Sequence, residues 1–196
     1  MYRYITINGF MGCGKSSVGE RLASRLSCRL TDLDRYIEEK SGRKIPEIFA
    51  SEGEASFRRM EREALEELLG GRAAVAAGCP VKGKEVKQEA GGVHLISLGG
   101  GTVTSPECAA LVKEKSVCIY LRAGIGTLVK NLQDDFASRP MLASPGSTGE
   151  LRSRIEELMS RRSRIYEDTA TIVIDIDGKS FDDVASEILA SPLITP

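Results

Sequence analysis

Apolar positions along the chain fall into short continuous runs that alternate with helically spaced stripes. Residues 4–7 (Tyr4, Ile5, Thr6, Ile7) are apolar or β-branched, which predicts a buried strand. Behind them, Val18, Leu22, Ala23 and Leu26 recur at helical spacing over residues 16–26. Residues 28–31 predict a second short strand, ending in Asp32-Leu33-Asp34. A short helix is expected next, with Tyr36 and Ile37, and later Ile45, Ile48 and Phe49, as its apolar positions. Ser51-Glu52-Gly53-Glu54 has the S-x-x-E form of a capping box, so a new helix should open there with Phe57, Ala64, Leu65 and Leu68 inward. Residues 93–98, 117–121 and 171–175 predict three further strands, and residues 181–189 a last helix. Strands alternating with helices predict an α/β fold: a parallel sheet covered on both faces.

Two stretches break the pattern. Residues 70–92 are rich in glycine, alanine and lysine; residues 134–149 contain SRPMLASPGSTG, a run of turn formers around one Arg-Pro. The second is long enough to serve as a lid.

Composition narrows the class. The 196 residues are enough for one well-buried α/β domain and short for two. The net charge of −1 offers no global basic field for nucleic acid. No apolar run approaches membrane-spanning length, and Arg3 and Asn8 interrupt the first segment, so neither a membrane anchor nor a leader is predicted. The five cysteines are dispersed with no C-x-x-C, which points to reduced thiols and a cytoplasmic protein. With His94 as the lone histidine, a His/Cys metal site is not expected.

Between the first strand and the first helix lies Gly9-Phe10-Met11-Gly12-Cys13-Gly14-Lys15-Ser16. It fits G-x-x-x-x-G-K-[ST] without mismatch, in the strand-to-helix setting that gives the pattern its meaning. Glycines free the backbone to turn and remove side chains that would block a phosphate. Backbone N–H groups at the helix start then meet the anion. Gly12, Cys13, Gly14, Lys15, Ser16 and Ser17 are the expected ATP-binding residues, with Cys13 a small filler. Lys15 reaches the terminal phosphates and the Ser16 hydroxyl joins a magnesium shell.

Ligands of open parallel sheets sit beyond the carboxyl ends of the strands. Asp32 and Asp34 end the second strand there, one suited to Mg2+ and the other to a substrate hydroxyl. Gly99, Gly100 and Gly101 end the third, where backbone can approach a small ligand closely. That strand ends in Ser97, not in the usual Walker-B acid, which leaves the magnesium role to Asp32. Asp175 reads as a strand-end turn residue.

The blocks GFMGCGKSSVG, DLDRYIEEKSGRKIPEIFASEGEASFRRME, LISLGGGTV, RPML and RRSRIYEDTA, in this order and over nearly the whole chain, resemble the shikimate kinases. The middle block is the most specific. The resemblance implies a single small P-loop kinase domain with a five-stranded sheet in the order 2-3-1-4-5. It implies a substrate-binding subdomain at 33–69 and a lid at 134–149, and leaves 70–92 as an insertion without an assigned role. The implied reaction is ATP-dependent phosphorylation of the shikimate 3-hydroxyl by a cytoplasmic enzyme, expected as a monomer. Carried over by position, Lys15 and Ser16 serve the triphosphate and Mg2+, and Asp32 holds the metal through water. Asp34 binds the shikimate hydroxyls, Arg58 and Arg162 bind its carboxylate, and Gly99–Gly101 line its pocket. Arg139 closes on the phosphates. An arginine fork suits a small polyol carboxylate. Only the family spacing distinguishes Arg162 from Arg161 and Arg164.

The chain departs from the family pattern at Ser17, where many members have threonine. It also departs before the Arg-Pro, where many carry an adenine-stacking arginine and this chain reads Leu132-Gln133-Asp134-Asp135, with Lys130 the nearest base. The alternative is another small-metabolite kinase of the same architecture, such as a gluconate-kinase-like enzyme. A guanine switch would want N-K-x-D, and neither Asn8 nor Asn131 starts one. Nucleic-acid binding through residues 152–164 is opposed by interleaved glutamates.

Overall fold

The computed structural model describes residues 4–70, 92–133 and 148–194. Five strands form one parallel sheet: β1 (Tyr4–Asn8), β2 (Arg29–Asp32), β3 (His94–Ser97), β4 (Val117–Arg122) and β5 (Ile172–Asp175), in the order β2-β3-β1-β4-β5. This is the order implied by the family resemblance. The helices are α1 (Lys15–Leu26), α2 (Leu33–Ser41), α3 (Ile45–Leu69), α4 (Pro106–Lys115), α5 (Ile125–Leu132), α6 (Thr148–Thr169) and α7 (Phe181–Leu189).

The central strand β1 is buried along its whole length. Neighbouring side chains on a strand point to opposite faces. Ile7 meets α1 beside Gly19, whereas Asn8 donates through Nδ2 to the Tyr166 carbonyl of α6 at 3.5 Å. Helices α1 and α6 therefore cover opposite faces. Two buried threonine hydroxyls on the sheet find partners: Thr6 shares a 2.9 Å hydrogen bond with Ser116, and Thr31 one of 2.9 Å with His94.

Register brings the strand ends to one level. Ser97 of β3 lies beside Ile7 of β1 and Asp32 of β2. The three following loops leave the sheet side by side, which assembles a site from distant segments.

The structure corrects the sequence reading around residues 33–69. The single helix expected through Ile48 and Phe49 is two helices, because Gly42 ends α2 in the left-handed region and Ile45 starts α3. The expected Ser51 capping box is not made. Ser51 Oγ donates back to the Glu47 carbonyl at 2.8 Å, and Glu52 accepts from Ser56 at 2.8 Å. The helix starts earlier, where the Glu47 carboxylate accepts the Lys44 N–H at 3.0 Å. It then kinks at Gly53, whose φ of 77° a side chain would resist. Helices α4 and α5 are not among the elements read from the sequence; α4 buries Cys108 and Val112, and α5 buries Leu128 and Leu132. Among the described residues no helix is long and apolar enough to cross a membrane.

Candidate active site

A cleft of about 670 Å³ opens over the carboxyl ends of β1, β2 and β3. At one end lies the loop between β1 and α1. Gly14 caps α1 at φ 85°, and a Cβ there would fall 2.5 Å from the Phe181 ring. Glycine is required on both counts. Lys15 Nζ donates to the carbonyls of Gly9 and Phe10, each at 2.9 Å, which holds the ammonium at the loop. Gly12, Lys15, Ser16 and Ser17 line the cleft with Gly14. Cys13 does not line it: its side chain is fully buried beneath the loop and its N–H donates to the Phe10 carbonyl at 3.3 Å. Burial pushes the Cys13 thiol above its ordinary range.

Asp32 caps α2, accepting the Arg35 N–H at 3.2 Å, and its other carboxylate oxygen accepts from Ser16 Oγ at 3.4 Å. This pair offers a hydroxyl and a carboxylate beside the phosphate loop. Magnesium takes few protein oxygens and completes its shell with water and phosphate, so the donor set fits that ion. Among the described residues no cluster of three or more Asp, Glu, His or Cys encloses a metal. The strand-end residue Asp175 is tied to Arg122 by two bonds of 2.5 and 2.7 Å on the β4–β5 edge, and takes no part in the cleft.

The other end of the cleft is built from α2, α3, α6 and the glycine triplet. Asp34 sits on the first turn of α2. Burial, and then the neighbouring carboxylates of Asp32 and Glu61, push its carboxyl up to about 7. Arg58 points from α3 and pairs with Glu54 at 2.9 Å and with Glu61. Gly101 lies flush against it, since a Cβ there would fall 2.6 Å from both terminal guanidinium nitrogens. Gly99 is as tightly placed, 2.6 Å from an Asp34 oxygen by the same measure. The Gly100 carbonyl accepts from Arg162 Nη1 at 3.3 Å and from the Tyr166 hydroxyl.

Helix α6 separates its arginines. Arg152, Arg154 and Arg161 form surface pairs with Glu156 or Glu157 at 2.5–2.9 Å. Arg164 is 90% exposed, whereas Arg162 is buried in the stripe Leu151, Ile155, Leu158, Arg162, Tyr166 and lines the cleft. Arg139 lies outside the described residues, as do 71–91 of the predicted insertion and 134–147 of the predicted lid; Thr148 and Gly149 already belong to α6.

Sequence reasoning missed four cleft residues or their supports. Glu61 is a completely buried acidic residue. It falls three residues after Arg58 and within the inward stripe Phe57, Ala64, Leu65, Leu68, so a carboxylate in an apolar stripe was the available signal. Thr102 donates to it at 2.6 Å. Asn131 and Phe181 line the phosphate end, with Asn131 Nδ2 donating to the Gly12 carbonyl at 2.8 Å. No local pattern marks these three.

A family model described as shikimate kinase matches residues 11–191. A shikimate kinase from Geobacter metallireducens is 39% identical over 95% of this chain and 89% of its own length. One from Chlorobium phaeobacteroides is 35% identical over 94% and 87%. Among solved structures, shikimate kinase from Acinetobacter baumannii in complex with shikimate superposes with a TM-score of 0.80 at 26% identity, covering 96% of this chain and 92% of that one. A gluconokinase from Sinorhizobium meliloti reaches 16% identity and a TM-score of 0.50, a likeness of fold alone.

Proposed function

Since the chain belongs to the shikimate kinase family and is an enzyme that phosphorylates shikimate with ATP, we propose which of its side chains do the work. The observation that carries the reading is one cleft lined both by a phosphate loop and by Asp34, Arg58 and Arg162. Lys15 and the backbone of the loop hold the triphosphate and neutralise charge as the γ-phosphoryl moves. Ser16 and Asp32 would hold Mg2+, which, when bound, draws charge from the phosphate oxygens. Asp34 orients the 3-hydroxyl of shikimate and accepts its proton at a carboxylate oxygen. Arg58 and Arg162 take the ring carboxylate at the far side, and Gly99–Gly101 let the ring lie against backbone. Arg139 is assigned to the phosphates by family position. The described cysteines, all free and buried, suit a reducing cytoplasm. ADP release measured with and without shikimate tests the reading: release must depend on shikimate.

Arg58→Ala is expected to raise the shikimate KM by about 10- to 100-fold with a smaller change in kcat. Charge-assisted hydrogen bonds to the carboxylate are made in the ground and transition states alike. The ATP KM should hold. An unchanged shikimate KM with a raised ATP KM would place the acceptor elsewhere.

The base of ATP is assigned to Phe181. Its ring is 37% exposed at the cleft, backed by the Arg21 guanidinium at 5.3 Å and by Gly14. An aromatic face stacks on any base and supplies what the absent arginine does not. Phe181→Ala should raise the ATP KM about 5- to 10-fold, the scale of one stacking contact, and leave the shikimate KM alone. Unchanged nucleotide kinetics would remove Phe181 from the site.

A further inference from the structure

Glu61 is a carboxylate with no exposed surface, and both of its oxygens are used. Oε2 accepts from Arg58 Nη1. Oε1 accepts from the hydroxyl of Thr102 at 2.6 Å, and Thr102 is itself fully buried. Thr102 follows the glycine triplet directly, and its N–H donates to the Gly99 carbonyl at 3.2 Å. The guanidinium of Arg58 lies against Gly101 of that triplet. A closed circuit results: triplet, Thr102, Glu61, Arg58, triplet. The other acid on Arg58, Glu54, is half-exposed, so water screens it and it holds the guanidinium weakly.

We propose that Thr102 is a positioning residue for the acceptor substrate: its hydroxyl anchors buried Glu61, and Glu61 aims the Arg58 fork into the cleft. A buried carboxylate oxygen without its donor is costly. With Thr102 mute, the carboxylate turns to share Arg58 through both oxygens and draws the fork away from the cleft. Glycine at 101 leaves no side chain to stop that movement. The inference rests on the reading that Arg58 holds the shikimate carboxylate, and it assigns to Thr102 no contact with substrate.

The test is steady-state kinetics on Thr102→Val, Thr102→Ser, Arg58→Ala and the double variant Thr102→Val with Arg58→Ala. Valine keeps the volume and removes the hydroxyl. It should raise the shikimate KM about 5- to 10-fold, the scale of a lost hydrogen bond to a charged group. Turnover and the ATP KM should stay within about two-fold, because aim and not chemistry is affected. Serine restores the hydroxyl and should bring the KM back. In the Arg58→Ala background the valine should add nothing, since the path through Arg58 is gone. A wild-type KM in Thr102→Val overturns the proposal. So do equal effects of valine and serine, a loss confined to kcat, or additive effects in the double variant. If Arg58→Ala itself leaves the shikimate KM unchanged, the carboxylate reading falls and this inference with it. If that variant raises KM and Thr102→Val does not, only this inference falls. Should Thr102→Val not fold, Thr102→Ala set against Thr102→Ser carries the same comparison.

Discussion

Lys15→Met is expected to fold and to lose at least ~100-fold in turnover, the scale for removing one strong electrostatic donor from a phosphoryl-transfer site. The ammonium is the cation of the phosphate loop, and its two bonds to the Gly9 and Phe10 carbonyls fix it at the loop before any phosphate arrives. Such preorganisation costs no reorganisation as charge develops on the γ-phosphoryl oxygens. Methionine has nearly the same reach and no charge. Gly9 and Phe10 are buried, so removing the donor to both carbonyls should also cost some stability, read as a lower Tm in a variant that still folds. Lys15 also lowers the Asp34 carboxyl, so its loss pushes Asp34 further toward the protonated form and weakens the acceptor as well. Single-turnover measurement of ADP formation checks the result; near wild-type turnover in a folded variant would sink the assignment of Lys15.

Asp34→Asn should cut turnover on the order of 10²- to 10³-fold, the range for a general acid–base group, and should make the protein more stable. The two effects have one origin. Burial and the carboxylates of Asp32 and Glu61 raise the Asp34 carboxyl from 3.8 to about 7. The folded chain therefore binds this proton more tightly than the unfolded chain, which releases it near the ordinary value. Between about pH 4 and 7 the native state carries more protons, so this group's contribution is best below pH 4 and is lost as pH rises through 7. At pH 8 the folded protein holds a charge that its surroundings disfavour. Asparagine removes that charge and keeps the shape. In EDTA and without substrates, its Tm should exceed wild type by about 2–8 °C at pH 8, and the gap should narrow toward pH 5. Thermal melts of both proteins across that range decide it. A variant less stable than wild type at pH 8 would show that Asp34 is stabilised by contacts, not held at a cost for the reaction. Site residues that oppose stability are the expected mark of function.

Patterns that depend on local geometry were legible in the chain itself. A β-branched run, a glycine loop ending in Gly-Lys-Ser and a helical stripe placed the phosphate site at the start of α1, because strand, turn and helix are neighbours in sequence. In the folded helix the stripe Leu151, Ile155, Leu158, Arg162, Tyr166 turns Arg162 inward, where the sequence reading had only the family spacing to tell it from Arg161 and Arg164. The salt-bridged surface face of α6 was equally readable from its alternating charges. The helix starts at 33–69 were less so. Ser51 has the letters of a cap, yet it lies within a turn already wound from Ile45, and its hydroxyl bonds back to Glu47.

Contacts between segments far apart were decided only by the tertiary structure. Thr102 and Glu61 are 41 positions apart. Phe181 meets Gly14, and Asn131 meets Gly12, across most of the chain. Helix packing and sheet register set these distances, and neither is written in any short window. The raised Asp34 carboxyl belongs to the same class: an acid at a helix start is ordinary, and burial in the cleft with the neighbouring carboxylates of Asp32 and Glu61 pushes it up to about 7. By itself the sequence determined the phosphate loop, the alternation of strands and helices and the residue types of the cleft, since short-range sterics and hydrophobic periodicity encode them; the strand order was implied only by the family resemblance. Folding decided which of those residues face each other, which are buried and which become charged, because desolvation and Coulomb terms depend on three-dimensional neighbours.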